Sequence, residues 1–141
     1  MPQITKRETL IATPWVNVIL KTFDAEPYTY YVVEPPPYTA IIAFTRDGQL
    51  ILIEQFRPAV EEIVLEMPAG TVEEGEDPSD CALRELLEET GYRSETIESL
   101  GWMYPDAGRM TNKIWGFVIR DAVLDPTAED AEVVGAVPRF R

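Results

Sequence analysis

The sequence predicts an α+β fold: a mixed β-sheet with a helix packed on it, preceded by an N-terminal antiparallel β hairpin. Three observations carry this. Runs rich in β-branched and apolar residues recur along the chain, turn residues punctuate them, and one segment carries both a helix start and a helix stop. A chain of 141 residues fits one domain and can bury roughly two-thirds of its unfolded surface, so it needs no disulfide or structural metal to fold. We therefore expect a single domain over 1–141, with N-terminal strands in 1–37 and a core in 38–141.

From Pro14 to Val33 the alternation of Trp15, Val16, Val18 and Leu20, then Tyr28 and Tyr30 to Val33, suggests a hairpin turning near Asp24-Ala25-Glu26-Pro27. Glu34-Pro35-Pro36-Pro37 breaks the sheet. Thr39 to Thr45 and Gln49 to Phe56 follow as strands joined by a second hairpin signal, Arg46-Asp47-Gly48. Ile63 to Glu66 reads as a short strand, and Glu95 to Tyr104 and Lys113 to Arg120 as two more. No repeat and no low-complexity segment interrupts this order.

The helix lies inside the segment 70–92, GTVEEGEDPSDCALRELLEETGY. Asp77 before Pro78 reads as an N-cap with proline at the first helical position, and Asp80 suits the positive end of the helix. Gly91 supplies a left-handed stop. Between them Cys81, Ala82, Leu83, Leu86 and Leu87 make an apolar side, while Glu85, Glu88 and Glu89 fall at i, i+3 and i+4 and share a face.

Like charges so placed cost a few tenths of a kcal/mol per pair, which either solvent or a cation relieves. A solvated acidic face is one reading. The other is an oxygen-ligand site for Mg²⁺ or Mn²⁺, ions that keep waters and bridge to phosphates, with Arg84 beside the carboxylates to orient one of them.

Composition excludes other chemistries. With one cysteine and no histidine, covalent Cys or Ser–His catalysis lacks its base, and Cys81 reads as a packing thiol on the apolar side of the helix. Twelve Lys plus Arg against 25 Asp plus Glu give a formal charge of −13, which repels nucleic acid and anionic membranes. The N-terminus MPQITKRETL has no apolar run of signal-peptide length, and nothing later approaches a membrane helix, so a cytoplasmic protein is expected.

Gly70, five residues, Glu76, seven residues, then Arg84-Glu85-Leu86-Leu87-Glu88-Glu89-Thr90-Gly91-Tyr92 resembles, position by position, the signature box of the Nudix hydrolases; Tyr92 is the loosest match. Glu66-Met67-Pro68-Ala69-Gly70 and Gln55-Phe56-Arg57-Pro58 resemble the E-L-P-A-G and Q-Y-R-P segments of the branch that cleaves ADP-ribose and nucleoside-diphosphate sugars. Together these matches cover roughly residues 28 to 120.

The resemblance implies a Nudix fold, an α/β/α-type sandwich around the mixed sheet, and Mg²⁺-dependent hydrolysis of a nucleoside diphosphate linked to another group. ADP-ribose leads as substrate, ahead of other nucleoside-diphosphate sugars and dinucleotides, and a binding-only sensor of nucleotide sugars is the alternative from another class. It further implies the carbonyl of Ala69 with Glu85, Glu89 and Glu88 as metal ligands, Glu76 as a residue fixing the loop, and a general base on a later loop, for which Glu129 and Glu132 rank above Asp130.

For substrate binding, Arg57 suits a phosphate or ribose and Glu66 a ribose hydroxyl or the metal shell; a salt bridge and a satisfied strand-end acid are their structural alternatives. Trp15 and Tyr31 are stacking platforms for adenine or else core aromatics, and the branch implies a homodimer through the N-terminal strands. The chain departs from the branch at Tyr104 to Asn112, where Asp106 and Arg109 stand in place of the usual S-P-G and acidic residue and could read the distal sugar or phosphate. A second departure is expected at the ending, Val133 to Arg141, which stops where the resemblance implies a continuation into a C-terminal helix.

Overall fold

The computed structural model describes residues 1–25 and 29–127 and divides into two compact units. The first comprises Met1–Pro37 and Met103–Ile114; the second comprises Tyr38–Trp102 and the described residues from Trp115 onward.

In the first unit β1 (Ile4–Ala12), β2 (Asn17–Phe23) and β3 (Thr29–Glu34) form a three-stranded sheet in that order. The expected hairpin is β2–β3, antiparallel, with Val18 opposite Val33 and Leu20 opposite Tyr31. Its turn residues 26–28 lie outside the described residues. Beyond expectation, β1 pairs antiparallel with β2 as a largely exposed edge strand, and its Lys6, Arg7 and Glu8 are the charged side chains that keep such an edge soluble. The segment after Met103 joins this unit through backbone hydrogen bonds: the Val33 N–H donates to the Arg109 carbonyl and the Thr111 N–H to the Val33 carbonyl.

The second unit is built on β4 (Tyr38–Thr45), β5 (Leu50–Ile51), the hairpin of β6 (Ile53–Arg57) and β7 (Glu62–Glu66), β8 (Ala69–Thr71), helix α1 (Pro78–Thr90), β9 (Tyr92–Arg93), β10 (Glu98–Met103) and β11 (Ile114–Leu124). Its sheet runs β10-β11-β4-β5, with β8 also on β4 and β9 on β11. Alternation in β4 buries Thr39, Ile41, Ala43 and Thr45. β11 buries three consecutive residues, Phe117, Val118 and Ile119, as a strand covered on both faces does.

Helix α1 closes this core. Ala82 and Leu86 pack with Ile41, Ala43, Ile51, Phe117, Ile119 and Ala122, and burying a leucine such as Leu86 is worth about 1.5–3 kcal/mol. Leu83 packs against the cluster from its edge, whereas Leu87 is exposed, because one step of about 100° past Leu86 carries it off the buried stripe. The caps are as expected. Asp77 accepts from the Ser79 N–H at 2.8 Å, and Gly91, at φ 69°, donates its N–H to the Leu87 carbonyl. The architecture is the predicted α+β. One helix lies among the described residues, where an α/β/α-type sandwich has helices on both faces.

Candidate active site

The site is assembled where β8 passes beside α1. β8 pairs with the start of β4, placing Gly70 opposite Thr39 and Ala69 opposite Ala40. Across from β8, α1 presents Glu85 and Glu89. The Glu89 carboxylate accepts the Ala69 N–H at 2.9 Å, and that of Glu85 lies so close over Gly70 that a Cβ added there would fall 1.8 Å from its Cδ. Gly70 is thus needed for close approach; at the other end of the loop Gly75, at φ 82°, makes the turn that returns the chain to the helix.

Arg84 is the hub. Its Nε and Nη2 fork onto Glu76 at 2.9 and 3.1 Å, its Nη1 reaches Glu85 at 2.7 Å and Glu88 at 3.1 Å, and Nη2 also donates to the Thr71 carbonyl. Glu76 in turn accepts the Glu73 N–H, so the first glutamate of the box fastens the loop to the helix, the role expected of it. Hydrogen bonds from Arg84 and from the Glu73 backbone hold the Glu76 carboxyl down at about 2. Arg84 is correspondingly raised above its ordinary value, first by Glu76 and then by Glu85.

This pair makes stability pH-dependent in a definite direction. Glu76 titrates at 4.5 when unpaired and about 2 in the fold, so its contribution is complete above pH 4.5 and is lost as pH falls toward 2. Melting curves of wild type and Glu76→Gln should therefore differ most above pH 5 and converge by about pH 2. A gap that stayed constant over that range would mean that Glu76 does not titrate with folding.

Burial raises the Glu89 carboxyl, and the charge of Glu85 adds to the effect. Arg57 and Glu66, which also act on Glu89 electrostatically, are bound to each other: Nε and Nη2 of Arg57 donate to one oxygen of Glu66 at 2.8 and 2.5 Å. They share a face of the β6–β7 hairpin, where Ile53 opposes Glu66 and Arg57 follows four residues along the strand. The partner of Glu66 is thus a side chain rather than strand-end backbone.

Together the site sets Glu66, Glu76, Glu85, Glu88 and Glu89 against Arg57 and Arg84. Among the described residues no three Asp, Glu, Cys or His side chains are gathered as a ready-made metal cage, because Arg84 draws Glu85 and Glu88 to itself and Glu89 is turned to the Ala69 N–H. A divalent cation nonetheless fits the donor set. All donors are oxygens, carboxylates outnumber guanidinium groups, and the burial and repulsion that raise Glu89 are the conditions a cation relieves.

The remaining expected residues belong to the first unit or lie outside the description. Trp15, in the β1–β2 connection, is 79 % exposed and Tyr31 of β3 60 % exposed, so neither is a core aromatic. Asp106 and Arg109 bind each other at 3.5 Å, and Asp106 also accepts the Gly108 N–H. In the same segment Asn112 donates to the Pro36 carbonyl and leaves its buried Oδ1 without a hydrogen-bond partner. Glu129 and Glu132 lie outside the described residues.

Cys81 is fully buried and its thiol is pushed up to about 11 by desolvation, which fits packing and not nucleophilic attack. Thr39 is equally buried, its hydroxyl 3.5 Å from the Gly70 carbonyl; no sequence signal marks it, because the two are 31 residues apart and meet only through the β4–β8 pairing.

Comparison with known proteins bears on this arrangement. Over 69 residues the chain is 46 % identical to the methanol dehydrogenase activator of Bacillus methanolicus, covering 49 % of this chain and 37 % of that protein. It is 40 % identical over 77 residues to the ADP-ribose pyrophosphatase of Bacillus subtilis strain 168, covering 55 % and 42 %. It is 55 % identical over 49 residues to the ADP-sugar pyrophosphatase of Mus musculus, covering 35 % and 22 %. The chain thus spans less than half the length of these relatives.

In fold it is similar to the crystal structure of an ADP compounds hydrolase, with a TM-score of 0.75 at 22 % identity over 92 % of this chain and 72 % of that one. Residues 34–138, about three-quarters of the chain, match the NUDIX domain family, and the box from Gly70 to Tyr92 with its glutamate–arginine network lies inside that match, so the chain belongs to the Nudix family.

Proposed function

We propose that this chain is a divalent-metal-dependent pyrophosphatase that hydrolyses ADP-ribose to AMP and ribose 5-phosphate. The observation that carries the reading is the complete box network: Glu85 over Gly70, Glu89 on the Ala69 N–H, and Arg84 binding Glu76, Glu85 and Glu88 at once. Two of the relatives above, named for ADP-ribose and ADP-sugar pyrophosphatase activity, support the substrate class.

In this reading Glu85, Glu88, Glu89 and the Ala69 carbonyl hold Mg²⁺, with Mn²⁺ as a substitute. The ion supplies charge neutralisation at the diphosphate and acidity to a bound water. Arg84 keeps Glu85 and Glu88 aimed, a role for which its planar fork suits it better than lysine would. Arg57 exchanges part of its pairing with Glu66 for phosphate or ribose oxygens, leaving Glu66 to meet a ribose hydroxyl. The proton of the attacking water passes to a carboxylate later in the chain, Glu129 or Glu132. Trp15 and Tyr31 stack on adenine, and Asp106 with Arg109 selects the group beyond the diphosphate.

The whole of 1–141 acts as one Nudix domain working as a homodimer in the cytoplasm, with residues 1–37 as the dimerisation element. Exposed apolar side chains of this element, Leu10, Ile11 and Trp15, support the dimer. Nucleic acid is not a partner, given the formal charge of −13.

The test is to incubate the purified protein with Mg²⁺ and ADP-ribose, ADP-glucose, GDP-mannose, UDP-glucose, NADH or diadenosine polyphosphates and to measure nucleoside monophosphate release. AMP released preferentially from ADP-ribose is expected. Preference for another compound would replace the substrate and direct attention to Asp106 and Arg109. Silence across the panel, with metal bound, would favour a nucleotide-sugar sensor.

A further inference from the structure

We propose that Thr39 and Cys81 are positioning residues that hold the β8 backbone in the shape the metal site requires. The inference rests on the metal-site reading above.

The Ala69–Gly70 peptide, whose carbonyl is the one backbone donor assigned to the ion, lies between two peptide units that are each held. On one side the Ala69 N–H is bound by Glu89 at 2.9 Å. On the other the Thr39 hydroxyl faces the Gly70 carbonyl at 3.5 Å, and the Cys81 thiol donates to the Thr71 carbonyl at 3.4 Å and lies 4.0 Å from that of Gly70. Thr39 Oγ1 and Cys81 Sγ are themselves 3.7 Å apart, so they form one buried polar pair beneath β8. Arg84 Nη2 reaches both the Thr71 carbonyl, at 3.4 Å, and Cys81 Sγ, at 3.5 Å, which ties the pair to the guanidinium that aims Glu85.

Each contact alone is weak, since thiols are poor donors and 3.5 Å is long for a hydroxyl. Their effect comes from placement. Both side chains are fully buried, so no water replaces a contact that is removed, and a shift of the Gly70–Thr71 peptide is passed through the Gly70 Cα to the adjoining peptide that carries the Ala69 carbonyl. If the two residues only filled space, changing them would lower the melting temperature and leave cation affinity alone.

The test measures Mn²⁺ binding to the full chain, without substrate, from the electron paramagnetic resonance signal of free Mn²⁺, alongside thermal melting without metal. Thr39→Val and Cys81→Ala should each weaken Mn²⁺ binding roughly tenfold, the lower end of what outer-shell changes cost a metal site. Thr39→Ser and Cys81→Ser, which keep a donor, should restore binding to within about threefold of wild type. Should Thr39→Val fail to fold, Cys81→Ala against Cys81→Ser decides alone.

Mn²⁺ affinity unchanged in Thr39→Val and Cys81→Ala, whatever their melting temperatures, would overturn the assignment; so would a wild type that binds no Mn²⁺. A wild type that binds Mn²⁺ but hydrolyses nothing in the panel, with the variants still weakened, would remove the hydrolase reading and leave the positioning role standing.

Discussion

Glu85→Gln is expected to lower metal-dependent kcat/KM on the order of a thousandfold while leaving the fold and melting temperature nearly unchanged. The size follows from what a bound cation supplies in such a site, several kcal/mol of charge stabilisation, at 1.36 kcal/mol per tenfold in rate. The small effect on stability follows from the local geometry. Glutamine has the volume of glutamate, so it fills the same space over Gly70 and makes no cavity. It loses one of the two charge partners of Arg84 Nη1, but Arg84 keeps Glu88 and its two-pronged contact with Glu76. It also removes one of the charges that raise the Glu89 carboxyl, which offsets part of that loss. The check is steady-state hydrolysis with Mg²⁺ together with circular dichroism on the same preparation. Full activity would remove Glu85 from the ligand set.

Helix α1 and its carboxylates are legible in the sequence because the interactions that define them are local. Asp77, Pro78 and Gly91 act through their own backbone angles and one-turn hydrogen bonds, so their reading needed no tertiary information, and all three hold the ends of α1 as expected. The carboxylates at i, i+3 and i+4 were legible for the same reason. The apolar side was less sharply legible, since Leu87 is as apolar as Leu86 and only the position of β4 decides which of them is buried.

Elements defined by distant partners escaped. β1 has eight exposed residues of nine and follows from its pairing with β2, while β8 and β9, three and two residues long, follow from β4 and β11. The stretch from Gln49 to Phe56 reads as one strand, yet the chain divides it into β5 on β4 and β6 on β7, because its two halves bond to different neighbours. The same limit explains the site. The contacts of Arg84 lie within thirteen residues of it, whereas Thr39 and Cys81 are 42 residues apart and only folding brings them together.

Gly70→Ala should separate placement of the Glu85 carboxylate from its presence. Gly70 does not lie among the glycines of positive φ, so alanine there carries no backbone strain, and in a strand it restricts the unfolded chain. The three atoms nearest its methyl group all belong to the Glu85 carboxylate, at 1.8 Å for Cδ and 2.0 and 2.3 Å for the two oxygens. Those atoms are the free end of a flexible side chain, so the relief is a rotation of Glu85 and not a movement of β8 or α1. Stability should fall by about 1 kcal/mol or less. Activity should fall about a hundredfold, the cost of displacing a reacting or ligating group by an ångström.

The double variant Gly70→Ala/Glu85→Gln should then be no worse than Glu85→Gln alone, because both changes remove one function and groups acting as a unit do not add. Hydrolysis rates and melting curves for the three proteins test this directly. If Gly70→Ala kept wild-type activity, the position of Glu85 over β8 would not be the one that matters for turnover. If the double variant lost a further hundredfold, Gly70 would be serving a second partner, and the Ala69–Gly70 peptide itself would be the first place to look.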